Sequence, residues 1–287
     1  MMVLAGYRKG VVLSASFGDL DEAPLDRSPI VSVVWQLRFE DHPALTAPQA
    51  VLRFQEVLGE AGQFKLTMLP KVQFSVQAAG LVPGNAPLAP ATGTGGGGWR
   101  LTSADGTWQV SAESGSLAIE ATRYGTWEKD FAPRLQTVLD ALREVGAPLI
   151  ESRLGLRYIN VLTGSAVGRP PISGIAEVSD LINPWILGPL HDPAVRDAVQ
   201  ASQGRVVFTF DHVNVILSHG VIATDANELG YLIDIDAFRE GGRALKLDEI
   251  IEFTSELHTA ALGVFQHSIT PHALEAMRSS SSGDGKG

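Results

Sequence analysis

Apolar and polar residues alternate along Ile30–Phe39. Val31, Val33, Trp35, Leu37 and Phe39 share one face, Ser32, Gln36, Arg38 and Glu40 the other, and Val34 is the exception. A period of two predicts a half-buried strand. The period then changes. Ala47, Val51, Phe54, Leu58 and Ala61 recur at helical spacing, Thr46 and Gln49 stand at capping-box separation, Pro48 falls in the first turn and Gly62 offers a stop. A helix capped by Thr46 is therefore expected. Strands are expected at Lys71–Gln77, Trp99–Ser103, Thr107–Ser111 and Leu117–Thr122, with Asp105-Gly106 a hairpin turn pair. Trp127–Val145 carries Phe131, Leu135, Val138, Leu139 and Leu142 at helical spacing and ends at Gly146-Ala147-Pro148.

The second half follows the same order. A strand at Arg153–Leu162 precedes a short helix at Gly174–Ile182, stopped by Asn183-Pro184. Strands are then expected near Val195–Ser202, Arg205–Asp211, Val213–Ser218 and Tyr231–Phe238. A last helix, with Asp248 as its cap, has the stripe Ile250, Ile251, Thr254, Leu257, Ala261, Val264 and Phe265. The expected fold class is α+β: antiparallel sheet with helices on one side, built from two pseudo-duplicated β-α-β-β-β-β-α units. The organisation is a loosely ordered lead-in over 1–28, a first unit over 29–148 holding a flexible Gly/Pro loop at 79–98, a second unit over 149–276, and a disordered tail over 277–287. This element order resembles the TATA-binding-protein-like fold, in which two such halves pack about a pseudo-twofold axis. Such a likeness concerns topology and does not license function.

Composition narrows the classes. The 287 residues include no cysteine, which removes disulfide scaffolds, thiolate metal sites and cysteine nucleophiles. Hydrophobic residues make up 45% of the chain, enough to build a core, yet no run approaches the length of a membrane span. Arg8 and Lys9 precede only a short, weakly apolar stretch, Val11–Phe17, which does not read as a secretory signal. A cytoplasmic location is the default expectation. The net charge of −10 argues against a nucleic-acid partner, because such affinity comes from Lys and Arg displacing counterions from phosphates.

Few residues suggest chemistry. Gly93, Gly95 and Gly98 match a dinucleotide-binding spacing, but a Pro-rich stretch precedes them and a strand follows, so they read as linker and no cofactor is expected. Asp234 and Asp236 project from one strand face, about 6.6 Å apart, and could hold Mg²⁺. With no third acid close in sequence, a salt-bridged strand face is preferred and no metal site is assigned. Arg153, Arg157 and Asn160 lie on one strand. The two arginines share a face and could clamp an anion, or pair with Asp234 or Asp236. Tyr124 and Trp127 precede a helix, where they either staple it to the sheet or form an interaction surface. The seven histidines show no metal-binding spacing and read as ordinary polar residues, and no nucleophile elbow or phosphate loop occurs.

Five stretches carry a further resemblance: Pro29-Ile30-Val31, Tyr124-x-x-Trp127, Leu156-Arg157-Tyr158-Ile159-Asn160, Leu232-Ile233-Asp234-Ile235-Asp236, and Phe265 to Thr270. Together they look like a sporadically distributed family of prokaryotic proteins with no assigned function, about 250 residues long and so of one or two domains. The resemblance spans Ser28 to Ala276 and implies no catalytic residues. The patchy distribution is similar to that of genes on mobile or defence islands. The expected function is a non-enzymatic binding or interaction protein with a protein partner or self-association. Two alternatives stand beside it. One is an enzyme or small-ligand binder with its site between the halves, centred on Arg157, Asp234 and Asp236. The other is nucleic-acid binding through the sheet face.

Overall fold

The structure, a computed structural model, describes residues 17, 20–59, 63–69, 97–224 and 228–278. The first half runs β1 (Ile30–Phe39), α1 (Pro48–Gly59), β2 (Phe64–Leu69), β3 (Gly98–Ser103), β4 (Trp108–Glu113), β5 (Ser116–Ala121) and α2 (Ala132–Val145). The second runs β6 (Ile150–Leu162), α3 (Ile175–Ser179), α4 (Pro184–Leu187), β7 (Gln203–Phe210), β8 (Val213–Ala223), β9 (Leu229–Ala244), α5 (Leu247–Ser268) and α6 (Pro271–Arg278). The fold is α+β, with one antiparallel nine-stranded sheet ordered β2-β3-β4-β5-β1-β6-β9-β8-β7. First strand meets first strand at the centre: β1 pairs with β6 through Val33↔Tyr158, Trp35↔Leu156 and Leu37↔Leu154.

That register explains the core. Val33, Trp35, Leu37 and Phe39 of β1, Leu154, Leu156 and Tyr158 of β6, and Ile233, Ile235 and Ala237 of β9 are all buried. They lie under α2 and α5, whose Leu135-led and Leu257-centred stripes are buried too. Each valine, leucine, isoleucine or phenylalanine side chain among them contributes about 1.5–3 kcal/mol by leaving water. The two largest fully buried side chains, Trp35 and Trp99, also satisfy their indole N–H groups. Trp35 Nε1 donates to Thr254 Oγ1 (3.3 Å) and Trp99 Nε1 to the Leu45 carbonyl (2.9 Å).

The most deeply buried charge among the described residues lies beside this core. Glu151, 1% exposed on β6, receives Arg239 Nε and Nη2 of β9 at 2.7 and 3.0 Å. The Arg239 guanidinium lies 3.9 Å above the Phe253 ring of α5. A bidentate carboxylate on one side and an aromatic face on the other leave this cation few unmet needs.

Several expectations need correction. No strand forms at Val195–Ser202. Asp192 instead accepts the Val195 and Arg196 N–H groups on its carbonyl and that of Ala194 on its carboxylate, winding the segment into an exposed turn. The second unit therefore has three strands after its helices, not four. Thr46 does not cap α1: it belongs to a 3-10 turn, and its hydroxyl donates back to the Pro43 carbonyl (3.0 Å). The proposed strand Lys71–Gln77 lies outside the described residues. So does the 79–98 loop except for its last two residues, of which Gly98 opens β3. At the other end, Met277 and Arg278 belong to α6, and Met277 is buried, so order extends past residue 276.

A candidate ligand cavity beneath the central strands

The alternation that builds the core also sorts the candidate residues onto two faces. Arg153 and Arg157 project from β6 away from the helices, where Asp236 and Asp234 of β9 meet them. Arg157 grips Asp234 through Nε and Nη2 at 2.7 and 2.5 Å, and Arg153 Nη2 reaches both Asp236 oxygens at 2.8 Å. The carboxylate of Asp234 holds the Arg157 guanidinium above the usual arginine range, more than its burial lowers it. Gly155 permits this layout: the Arg153 guanidinium folds over it, 2.4 Å from where a Cβ would stand, and reaches the Phe238 ring at 4.6 Å. These four charges are thereby matched in pairs, with Arg38 of β1 alongside Arg153 and hydrogen-bonded to Gln36. Arg157→Gln, which strands the 8%-exposed Asp234 carboxylate, is expected to lower stability by about 1–3 kcal/mol in denaturant titration; an unchanged midpoint would contradict the pairing.

Asn160 does not join them. Three residues from Arg157, it points to the helix side, buried, with Nδ2 donating to the Ile233 carbonyl (3.1 Å). There it lines a cavity of about 280 Å³ with Tyr124, Trp127, Tyr158, His258 and Phe265. Arg157, Asp234 and Asp236 are not among the lining residues: the polar centre expected between the halves stands on the opposite face of the sheet from this cavity.

Local structure sets each wall. Trp127–Phe131 forms one π-helical turn before α2. The Phe131 N–H reaches back five residues to the Thr126 carbonyl (3.2 Å), Thr126 Oγ1 accepts from the Lys129 N–H (3.2 Å), and the Gly125 N–H donates to Asp130 (3.1 Å). Such insertions frequently mark functional sites. Here the turn sets Trp127 parallel to the His258 ring of α5, 5.3 Å away at 13°, with Phe131 near-parallel at 5.9 Å.

A hydrogen-bonded chain crosses the inner wall. Tyr124 Oη and Tyr158 Oη are 3.3 Å apart, and Tyr158 Oη lies 2.9 Å from His258 Nδ1. Burial pushes every member toward its neutral form. The Tyr124 hydroxyl rises to about 12, Tyr158 rises well above the ordinary phenol range, and His258 falls to about 4. Among the described residues, His258 Nε2 has no protein partner.

The outer wall comes from the segment expected to be loosely ordered. Asp21 is tied to α5 by its N–H to Gln266 Oε1 (3.3 Å) and by Gln266 Nε2 to its carbonyl (2.6 Å), and to α6 by Arg278 (2.7 Å). Arg27 donates its N–H to the Met277 carbonyl (3.0 Å) and Nη1 to that of Ala276 (3.1 Å). Glu22, Ala23, Pro24 and Leu25 lie between these anchors and line the cavity. No helix among the described residues is long and apolar enough to cross a membrane.

Sequence reasoning missed Tyr158, His258 and this wall. The signals for the first two were present: Tyr158 shares the strand parity of Asn160, and His258 stands four residues after Thr254, on the buried stripe of α5. No family model matches the chain, and no curated protein matches it.

Proposed function

We propose that this chain is a small-molecule binding protein whose ligand occupies the cavity beneath β1 and β6. One observation carries the reading: a 280 Å³ cavity, walled mainly by aromatic and aliphatic side chains, holds a convergent polar chain ending in a histidine nitrogen without a partner among the described residues. Enclosed apolar space with a few placed polar groups is the usual form of a ligand site, and this volume is near the small end of the range. Four of the five stretches that carry the family resemblance reach the cavity, through Ile30, Tyr124 with Trp127, Tyr158 with Asn160, and Phe265. Membership of that prokaryotic family is part of the same proposal.

Binding fits the electrostatics better than catalysis does. A general base works best with a pKa near the operating pH. His258 at about 4 is a weak base at neutral pH, and tyrosines pushed upward are weak acids. The groups suit recognition, in which they keep their protons.

Ligand-detected NMR with a set of small neutral aromatic compounds tests the proposal. Leu262, a half-buried lining residue, offers a control that leaves the polar chain intact. Leu262→Trp is expected to fill the cavity and abolish binding while unfolding stays cooperative. Equal binding to that variant would place the ligands elsewhere and overturn the reading.

A further inference from the structure

The charged residues that line the cavity are all at its mouth. Asp21, Glu22, Glu128 and Lys129 are exposed, and Asp21 is already paired with Arg278. The buried polar lining, Tyr158, Asn160 and His258, carries no formal charge at neutral pH, and the half-buried Tyr124 carries none either. An ion moved inward would leave water and find no counter-ion, an expensive transfer. A neutral polar group would instead find hydrogen-bonding partners.

The direction of the polar chain then sets what it can recognise. When the Tyr124 hydroxyl donates to Tyr158 and Tyr158 donates to His258 Nδ1, the histidine carries its proton on Nε2, which donates to a guest, while Tyr124 Oη can accept. With the chain reversed, Nδ1–H donates to Tyr158, Tyr158 to Tyr124, and Tyr124 to the guest, leaving Nε2 an acceptor. In either state Nε2 and Tyr124 Oη offer opposite polarity, and reversal shifts one proton along each bond while Nε2 gives its proton to solvent or guest and Tyr124 Oη takes one up. The chain can therefore serve either a donor or an acceptor on the guest at Nε2.

Resting on the cavity as the binding site, we infer that the ligand is an electrically neutral molecule with an apolar, ring-sized body and an uncharged hydrogen-bonding group held at His258 Nε2. The chemical class is that of amides, lactams, alcohols and phenols, as against carboxylates and alkylammonium ions.

Three matched probes at pH 7 test this: benzamide, benzoate and benzylammonium, titrated into the full chain by NMR. Benzamide is expected to bind at least about tenfold more tightly than either ion, the ratio set by transferring a charge without a partner. Tyr124→Phe, at the half-exposed end of the chain, is expected to weaken benzamide about fivefold, the worth of one neutral hydrogen bond, while leaving toluene binding unchanged. His258→Gln keeps a polar group at the inner end and is expected to retain more benzamide affinity than His258→Leu. Tighter binding of benzylammonium would mean that the acidic mouth governs selection, and tighter binding of benzoate would mean that an anion is recognised. Either result overturns the neutral class and leaves the cavity standing. Failure of all three probes and of toluene to bind the unaltered protein overturns the cavity reading itself. Benzamide affinity unchanged in Tyr124→Phe and in both His258 variants overturns the role of the polar chain.

Discussion

Glu151→Ala is expected to destabilise the protein by about 3–5 kcal/mol, the range for breaking a buried ion pair from one side. The deletion leaves the Arg239 guanidinium buried against Phe253 without its two carboxylate oxygens, with the more distant Arg243 adding a second unmatched cation nearby. Replacing both partners separates loss of the pair from loss of volume. Glu151→Leu combined with Arg239→Met is expected to be much milder than Glu151→Ala alone, because no unpaired charge stays inside. Equilibrium denaturation of the three proteins measures both effects. A loss below about 1 kcal/mol in Glu151→Ala would mean that water or a rearranged side chain already serves Arg239.

Acid is expected to weaken the fold through His258. Burial lowers its pKa from 6.5 to about 4, so the unfolded chain takes up this proton before the folded one does. The contribution to stability is complete above about pH 6.5, drains away as pH falls toward 4, and changes no further below that, where both states are protonated. The shift corresponds to about 3 kcal/mol over this window. Trp127 and Tyr158, the groups packed on the ring, stay uncharged throughout, and the carboxylates near the cavity, Asp21, Glu22 and Glu128, stand at its mouth. His219, also lowered by burial, adds a slope of the same sign. The informative quantity is therefore the difference between the unaltered protein and His258→Phe. The variant is expected to lose stability more shallowly between pH 6.5 and 4, and parallel curves would refute the assignment to His258.

Strand parity and helical stripes made most of the fold legible. Trp35 and Leu37 occupy the face their alternation assigns, and Leu257 occupies the core position its stripe assigns. The strand expected at Val195–Ser202 failed because short apolar alternation cannot be told from a turn when an aspartate before proline gathers the next N–H groups, as Asp192 does. The site was less legible for two different reasons. Asn160 and Arg157 are close in sequence, but an odd separation along a strand puts them on opposite faces. The cavity wall could not be read at all: Asp21 meets Gln266 across 245 positions, a pairing without local periodicity.

That distant pairing has a temporal consequence. In vectorial synthesis Asp21 and Arg27 leave the ribosome about 250 residues ahead of their partners Gln266, Met277 and Arg278. At translation speeds of about 5–20 residues per second, the interval is on the order of 10–50 seconds. The five strands of the first half can assemble in that time, but the guest chamber has no outer side until α6 docks. Until then Tyr124, Trp127 and Tyr158 would face solvent on that side of the cavity.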